Sequence, residues 1–310
     1  MTERTENRKD AAGILRSAAC AARVGNHILG IIAAVLVVVM LLYGGYSLWD
    51  MYRTYRGAFA DEELMKYKPA GEGKENPTLD ELMKINPDVC AWLTVDDTNI
   101  DYPVVQYDGE NLDENGNAYY MDKDIYGNYL DSGTIFMDYR DNFGPDKSQQ
   151  SQNIMLYGHN MLNGTKFATL HYYRQDDTFY DDNPIIEFSS NYNDYKYIIF
   201  GYFITSGSYG ESAYGPEFAY WDMENMDEKE FNEYVETVRD RSVISPDIDV
   251  EYGDQLITLQ TCYMDEDNSR MLVVGRRLRE HETADNIDKA STAKTESDDS
   301  DVSESDESQE

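Results

Sequence analysis

The run from Ile28 to Trp49 constrains this chain more than any other feature, because it contains no charged side chain and is dense in Ile, Val and Leu. A helix needs about 20 such residues to cross the hydrocarbon core of a bilayer. A secretory apolar segment is shorter, roughly 7–15 residues, and precedes a small-residue cleavage site. The run therefore reads as an uncleaved single-pass anchor, with Tyr43, Tyr46, Trp49 and Tyr52 placed for the interfacial belt. A buried globular helix does not suit a charge-free run of this length. Arg4, Arg8, Lys9, Arg16 and Arg23 precede it, which predicts a cytoplasmic N-terminus and an extracellular location for everything after Trp49. Arg53 and Arg56 reduce that asymmetry, but the larger acidic remainder is more readily placed outside.

The formal net charge is -34, which excludes a nucleic-acid partner that would require a basic patch. The charge is not spread evenly: the last segment, 281–310, is Ser, Thr, Asp and Glu with almost nothing apolar. Such a segment cannot bury enough surface to offset its ordering entropy and reads as a disordered tail. The chain thus divides into a cytoplasmic segment (1–27), a transmembrane anchor (28–49), a helical stalk and linker (50–77), a folded domain (78–280) and the acidic tail (281–310). Within the stalk, Asp50 to Lys68 reads as helix, and the Gly and Pro between Pro69 and Pro77 read as linker. Thr78-Leu79-Asp80-Glu81 has the form of a capping box, and Pro87 ends the short helix that follows.

From Val89 onward, short apolar runs are bounded by Gly, Asn, Asp and Pro. They are Val89–Val95, Ile100–Val105, Thr134–Met137, Ile154–Tyr157, Ile185–Phe188, Tyr195–Thr205, Gln255–Thr261 and Met271–Arg277. About eight strands at uneven spacing suggest a closed or nearly closed barrel, so the fold class is mostly β. One segment departs from this pattern. Asp227 to Arg241 carries Phe231, Tyr234, Val235 and Val238 at helical spacing, with Asp227 and Glu230 as a possible cap. It predicts a helix inserted before the Gln255–Thr261 strand.

Three cysteines and four histidines limit the candidate chemistry. Cys20 precedes the anchor, and Cys90 lies in an apolar stretch where a small core residue is expected. The sequence leaves open a disulfide between Cys90 and Cys262. Cys262 closes the strand Leu256–Thr261 and faces a polar loop, where a rigid scaffold can present a nucleophile. Taken alone it is as well explained as an inert half-buried thiol. His27 touches the anchor, His281 begins the tail, and His171 suits a surface or structural role. His159 follows Ile154-Met155-Leu156-Tyr157-Gly158 and so also sits at a strand end. A thiol needs a base or cationic neighbour to be a thiolate near neutral pH, and one imidazole can serve as both base and acid. Arg270 opens the next strand; if that strand pairs with the Cys262 strand, its guanidinium can stabilise an oxyanion at the same sheet end. No pair of His or Cys has metal-ligand spacing, no phosphate-binding loop is present, and no metal or cofactor is expected.

These residues resemble a known family. Thr258-Leu259-Gln260-Thr261-Cys262 resembles the Thr-Leu-x-Thr-Cys signature of sortases, and Tyr157-Gly158-His159-Asn160 is similar to their histidine motif. Ile85-Asn86-Pro87-Asp88, Ile100 to Gln106, Gly133 to Asp138 and Arg241-Ser242 are similar to class B sortases. Gln260 stands where class B members often carry serine, and an extra stretch, Tyr107 to Gly116, precedes Asn117-Ala118-Tyr119-Tyr120. The resemblance implies an eight-stranded sortase β-barrel with N-terminal helices, and a membrane-bound cysteine transpeptidase. Cys262 would attack after the threonine of a sorting motif in a secreted protein, His159 would protonate the leaving amine, and Arg270 would steady the oxyanion. Thr261, Asn117 and Gln260 would serve substrate binding. The thioacyl intermediate would pass to an amine of a peptidoglycan precursor or cross-bridge, or to a pilin lysine. A cysteine hydrolase using the same three residues, and a non-catalytic surface adhesin, are the competing readings.

Overall fold

The computed structural model describes residues 3–58, 64–70, 76–107, 119–263, 268–283 and 291–293. The chain forms two compact units, Met1–Thr54 and Tyr55–Glu310. The described residues of the first are all helical, within α1 (Glu3–Ala58). Over Arg23–Arg53 this helix is long and apolar enough to cross a membrane, and Leu29, Ile32, Leu36 and Leu41 are exposed along it. It is compatible with a single-pass membrane anchor. Of the predicted stalk, residues 59–63 lie outside the described residues, as does nearly all of the acidic tail.

The second unit begins with α2 (Pro77–Met83), where the expected capping box is not formed. Asn76 is the N-cap and Pro77 occupies N1, where its fixed φ suits a helix start. Asn76 donates its side-chain amide to Ser190 O and Asp194 rather than capping the helix. Thr78 Oγ1 reaches back to Lys68 O instead. Eight strands follow that close into a barrel: β1 (Val89–Thr94), β2 (Asp101–Val105), β3 (Phe136–Met137), β4 (Asn153–Tyr157), β5 (Ile185–Ser189), β6 (Asp194–Ser206), β8 (Leu256–Cys262) and β9 (Ser269–Arg277). Their order around the barrel is β1-β2-β3-β4-β8-β9-β6-β5, and β5 pairs back onto β1. β7 (Ile244–Pro246) lies outside the barrel. Strand β3 is shorter than the apolar pattern predicts, because Thr134 uses its N–H on Tyr120 O and its hydroxyl on Lys123 O. Those bonds close a loop instead of extending the ladder.

Side chains alternate across the barrel wall with the period of two that a strand imposes. Ile257 and Leu259 of β8, and Met271 and Val273 of β9, point into the barrel core. Leu256 of β8, and Leu272 and Val274 of β9, point outward against α5 (Glu228–Arg241). Two one-turn helices, α3 (Tyr172–Gln175) and α4 (Phe179–Asp182), precede β5. The predicted inserted helix is α5, with Asp227 and Glu230 forming a reciprocal capping box. Its Phe231, Tyr234, Val235 and Val238 cover the outer barrel face. A third cluster packs Leu79 and Leu82 of α2 against Trp92, Val105 and Phe136.

Candidate active site

Barrel register determines which residues meet. β4 runs parallel to β8, with Tyr157 opposite Gln260, and β9 runs antiparallel to β8, with Arg270 opposite Cys262. Beyond the paired segment, Gly158 N donates to Gln260 O (3.2 Å), and Asn160 Nδ2 donates to Cys262 O (3.2 Å). His159 therefore lies alongside the Cys262 end of β8. Alternation places His159 with Met155 and Tyr157, Cys262 with Leu256 and Gln260, and Arg270 with Leu272, all on the outer face. The middle strand thus carries the cysteine, with the histidine at one side and the arginine at the other.

The three side chains are half-buried and share one cleft of about 530 Å³. Met121, Tyr139, Arg140, Tyr209, Tyr220, Trp221 and Gln260 complete its walls. His159 Nε2 lies 2.8 Å from Met121 O. The Arg270 side chain packs across Gly207, where any Cβ would lie 3.0 Å from its Cγ and 3.2 Å from its Nε. Gly158, just before the histidine, has the same kind of constraint, since a Cβ there would meet the Phe167 ring at 2.7 Å. Phe167 N in turn donates to His159 O (2.9 Å), so the loop after β4 is closed over the histidine backbone.

One wall is a charged network that sequence reasoning did not find. Asp138 is buried, and it accepts Arg140 Nε (2.9 Å), Nη2 (3.0 Å) and backbone N–H (3.0 Å) and the Tyr157 hydroxyl (2.8 Å). Burial pushes this carboxyl up, but donation from Arg140 and Tyr157 outweighs burial and holds it below the usual carboxylate range. Arg140 also reaches Asp222 (2.9 Å) and Trp221 O, tying the loop after β3 to the segment before α5. Asp138 stood inside a recognised motif, but the sequence held no sign that a fork from Arg140 would fix it. Burial likewise pushes the Tyr220 hydroxyl up, keeping it a neutral donor to Gln260 Oε1 (3.3 Å).

The remaining sequence candidates divide. Gln260 lines the cleft. Thr261 does not, because the same alternation turns it inward; it is fully buried and donates to Gly158 O (2.9 Å). Asn117 lies outside the described residues. Cys20, Cys90 and Cys262 are all free, so the Cys90–Cys262 disulfide does not form. Burial pushes the Cys90 thiol up, as expected of an inert core residue. His171 stacks on Tyr263, with ring centroids 5.0 Å apart. Among the described residues, no group of three or more His, Cys, Asp or Glu is arranged to hold a metal ion.

A barrel presenting a cysteine between a histidine and an arginine defines a class of thiol-dependent enzyme. The sortase-domain family model matches residues 93–278. Sortase B of Listeria monocytogenes is 31% identical over 206 residues, covering 66% of this chain and 75% of the relative. Sortase B of Staphylococcus aureus is 27% identical over 255 residues, covering 80% of this chain and 96% of the relative. A solved Staphylococcus aureus sortase B–substrate complex superposes with a TM-score of 0.56 at 26% identity, covering 67% and 88% of the two chains. The chain belongs to the sortase family, in class B. Sortases are cysteine transpeptidases, and class B is associated with anchoring to the cell wall.

Proposed function

We propose that Cys262, His159 and Arg270 carry out transpeptidation on a C-terminal sorting motif of secreted proteins. The supporting observation is the register of β4, β8 and β9, which brings the three residues to one end and one face of the barrel. The Cys262 thiolate attacks the carbonyl carbon of the motif threonine, whose bond to the next residue's nitrogen is the one cleaved. The Arg270 guanidinium donates to the oxyanion of the tetrahedral adduct. The adduct collapses as the C–N bond breaks and the C–S bond remains, and His159 gives its proton to the leaving amine. An acceptor amine then attacks the thioacyl carbon, its proton passes to His159, and the thiolate leaves. The acceptor is an amine of a peptidoglycan precursor or cross-bridge, or a pilin lysine.

Substrate recognition falls to Gln260, which lines the cleft, and to Asn117, with Thr261 holding the end of β8 from the inner side. That a Staphylococcus aureus relative is described as a sortase B–substrate complex supports a peptide in the equivalent cleft. The basic residues before the anchor support a cytoplasmic N-terminus with the catalytic domain (78–280) outside. The same division makes 50–77 a stalk and linker and 281–310 an acidic tail, of which Glu282 is held by Arg276 and Ser291–Ala293 pairs with β7.

The test is to mix the purified full-length protein with a panel of Leu-Pro-x-Thr-Gly-like and Asn-Pro-x-Thr-Asn-like peptides. A covalent acyl adduct is expected on Cys262, with turnover abolished by His159→Ala. No adduct across the panel would refute the reading. Hydrolysis alone in saturating amine would refute transfer and leave a cysteine hydrolase.

A further inference from the structure

We propose that Gly133 is a positioning residue for the reaction, because its missing side chain lets the Met121 carbonyl hold the His159 imidazole in one tautomer. The inference rests on the catalytic reading of His159 given above. A carbonyl oxygen can only accept, so the 2.8 Å contact between His159 Nε2 and Met121 O requires the proton on Nε2. In the neutral ring Nδ1 then carries the lone pair and is the nitrogen that exchanges protons in the cleft. A buried carboxylate plays this orienting role in many thiol and serine enzymes. Here a backbone carbonyl does it, and backbone carbonyls move only when the backbone moves.

Gly133 is what allows that carbonyl its place. Its φ is +54°, and a Cβ built on it would lie 2.5 Å from Met121 O and 2.6 Å from Tyr120 O. Both are backbone atoms, so no flexible side-chain end can yield. The Tyr120–Met121 segment is also held from other sides. Thr134 N donates to Tyr120 O (3.0 Å), and the Tyr120 hydroxyl donates to Asp88 (2.7 Å) and accepts from Asn86 (2.8 Å). Met121 O must move by roughly 1 Å before its contact with a Cβ becomes an ordinary one. A shift of that size lengthens or redirects a 2.8 Å hydrogen bond beyond useful geometry.

Gly127 provides the control. It sits in the same loop at φ +80°, but a Cβ there meets only the Tyr119 hydroxyl, at 3.9 Å. Gly127→Ala therefore imposes the left-handed strain without touching the Met121 carbonyl.

The experiment uses the full chain in detergent with ¹⁵N-labelled histidine, assigning His159 by its loss in His159→Gln. The wild type should show neutral His159 protonated at Nε2 and bare at Nδ1. Gly133→Ala should lose that pattern. On a peptide that forms the Cys262 adduct, its kcat should fall on the order of 10- to 100-fold with KM unchanged. Gly127→Ala should keep the pattern and a kcat within about twofold of wild type. Neutral His159 protonated at Nδ1 in the wild type would overturn the proposal, even if Gly133→Ala fails to fold. So would a Gly133→Ala variant with wild-type kcat, or an equal loss in Gly127→Ala. The tautomer is read without turnover, so an inert protein with the Nε2 proton in place would refute the reaction and not the positioning.

Discussion

Replacing Asp138 with Asn isolates the network that forms one wall of the cleft. The substitution keeps shape and one acceptor. Asn Oδ1 can still accept from Arg140 Nε and N, and the new amide at the Oδ2 position can donate to the Tyr157 hydroxyl oxygen once its O–H rotates, but it faces Arg140 Nη2, which can only donate. The Oδ2 contact with the charged Nη2 is lost, worth about 1.5–3 kcal/mol. The Asp138 side chain is only 2% exposed, so water does not replace it, while Arg140 keeps Asp222 as a partner. The expected loss is about 2 kcal/mol, which for a folded unit of this size lowers Tm by roughly 4–8 °C. The pH dependence follows from the depressed carboxyl. A carboxyl held below its unfolded value of about 3.9 contributes stability that is fully present above that pH and lost as pH falls through the folded value. The gap between wild type and Asp138→Asn should therefore be constant from pH 7 to pH 5 and narrow below about pH 4. Thermal melts by circular dichroism across that range measure both. A Tm within about 2 °C of wild type at pH 7 would show that the donors find other partners, and would refute the reasoning.

Other parts of the structure give further expectations. Glu282 grips the buried Arg276 guanidinium at 2.6 and 2.9 Å, so Glu282→Ala should destabilise the barrel by about 3–5 kcal/mol in a urea titration, with a loss under 1 kcal/mol counting against a desolvated pair. Thr261→Val removes the bond to Gly158 O and should cost about 1 kcal/mol in the same titration, while peptide cleavage slows without a change in KM. Asp227→Ala removes the α5 capping box and should lower stability by about 1 kcal/mol, read as a lower urea midpoint with an unchanged slope.

Local rules carried most of the secondary structure. Short apolar runs bounded by Gly, Asn, Asp and Pro located all eight barrel strands to within two residues at each end, because strands in the barrel wall are buried on both faces while the turns between them are not. The helical spacing of Phe231, Tyr234, Val235 and Val238 and the Asp227–Glu230 cap located α5, because both signals lie within one turn or two. The capping box at Thr78 failed because Asn76 and Pro77 formed a competing start, which was equally local but outranked it. Thr261, which the resemblance assigns to substrate binding, is turned inward. Next to a candidate nucleophile it looked like part of the site, yet neighbours on a strand face opposite sides, and the side of Cys262 is the outer one.

By itself, then, the sequence determined an apolar helix of membrane-crossing length, a set of short apolar strands, and a cysteine, a histidine and an arginine each at a strand end. These depend on residue type and spacing over a few positions. Only the tertiary structure decided that β4 lies beside β8 and β8 beside β9, joining His159 to a cysteine about a hundred residues away. It alone placed Arg140 on Asp138, turned Thr261 inward, and set the Met121 carbonyl against His159 with Gly133 behind it. The strand pairings and the Met121–His159 contact run between distant segments, the Arg140 fork onto Asp138 depends on how the chain turns between near neighbours, and a backbone carbonyl is the same in every residue, so no pattern of side chains could announce them.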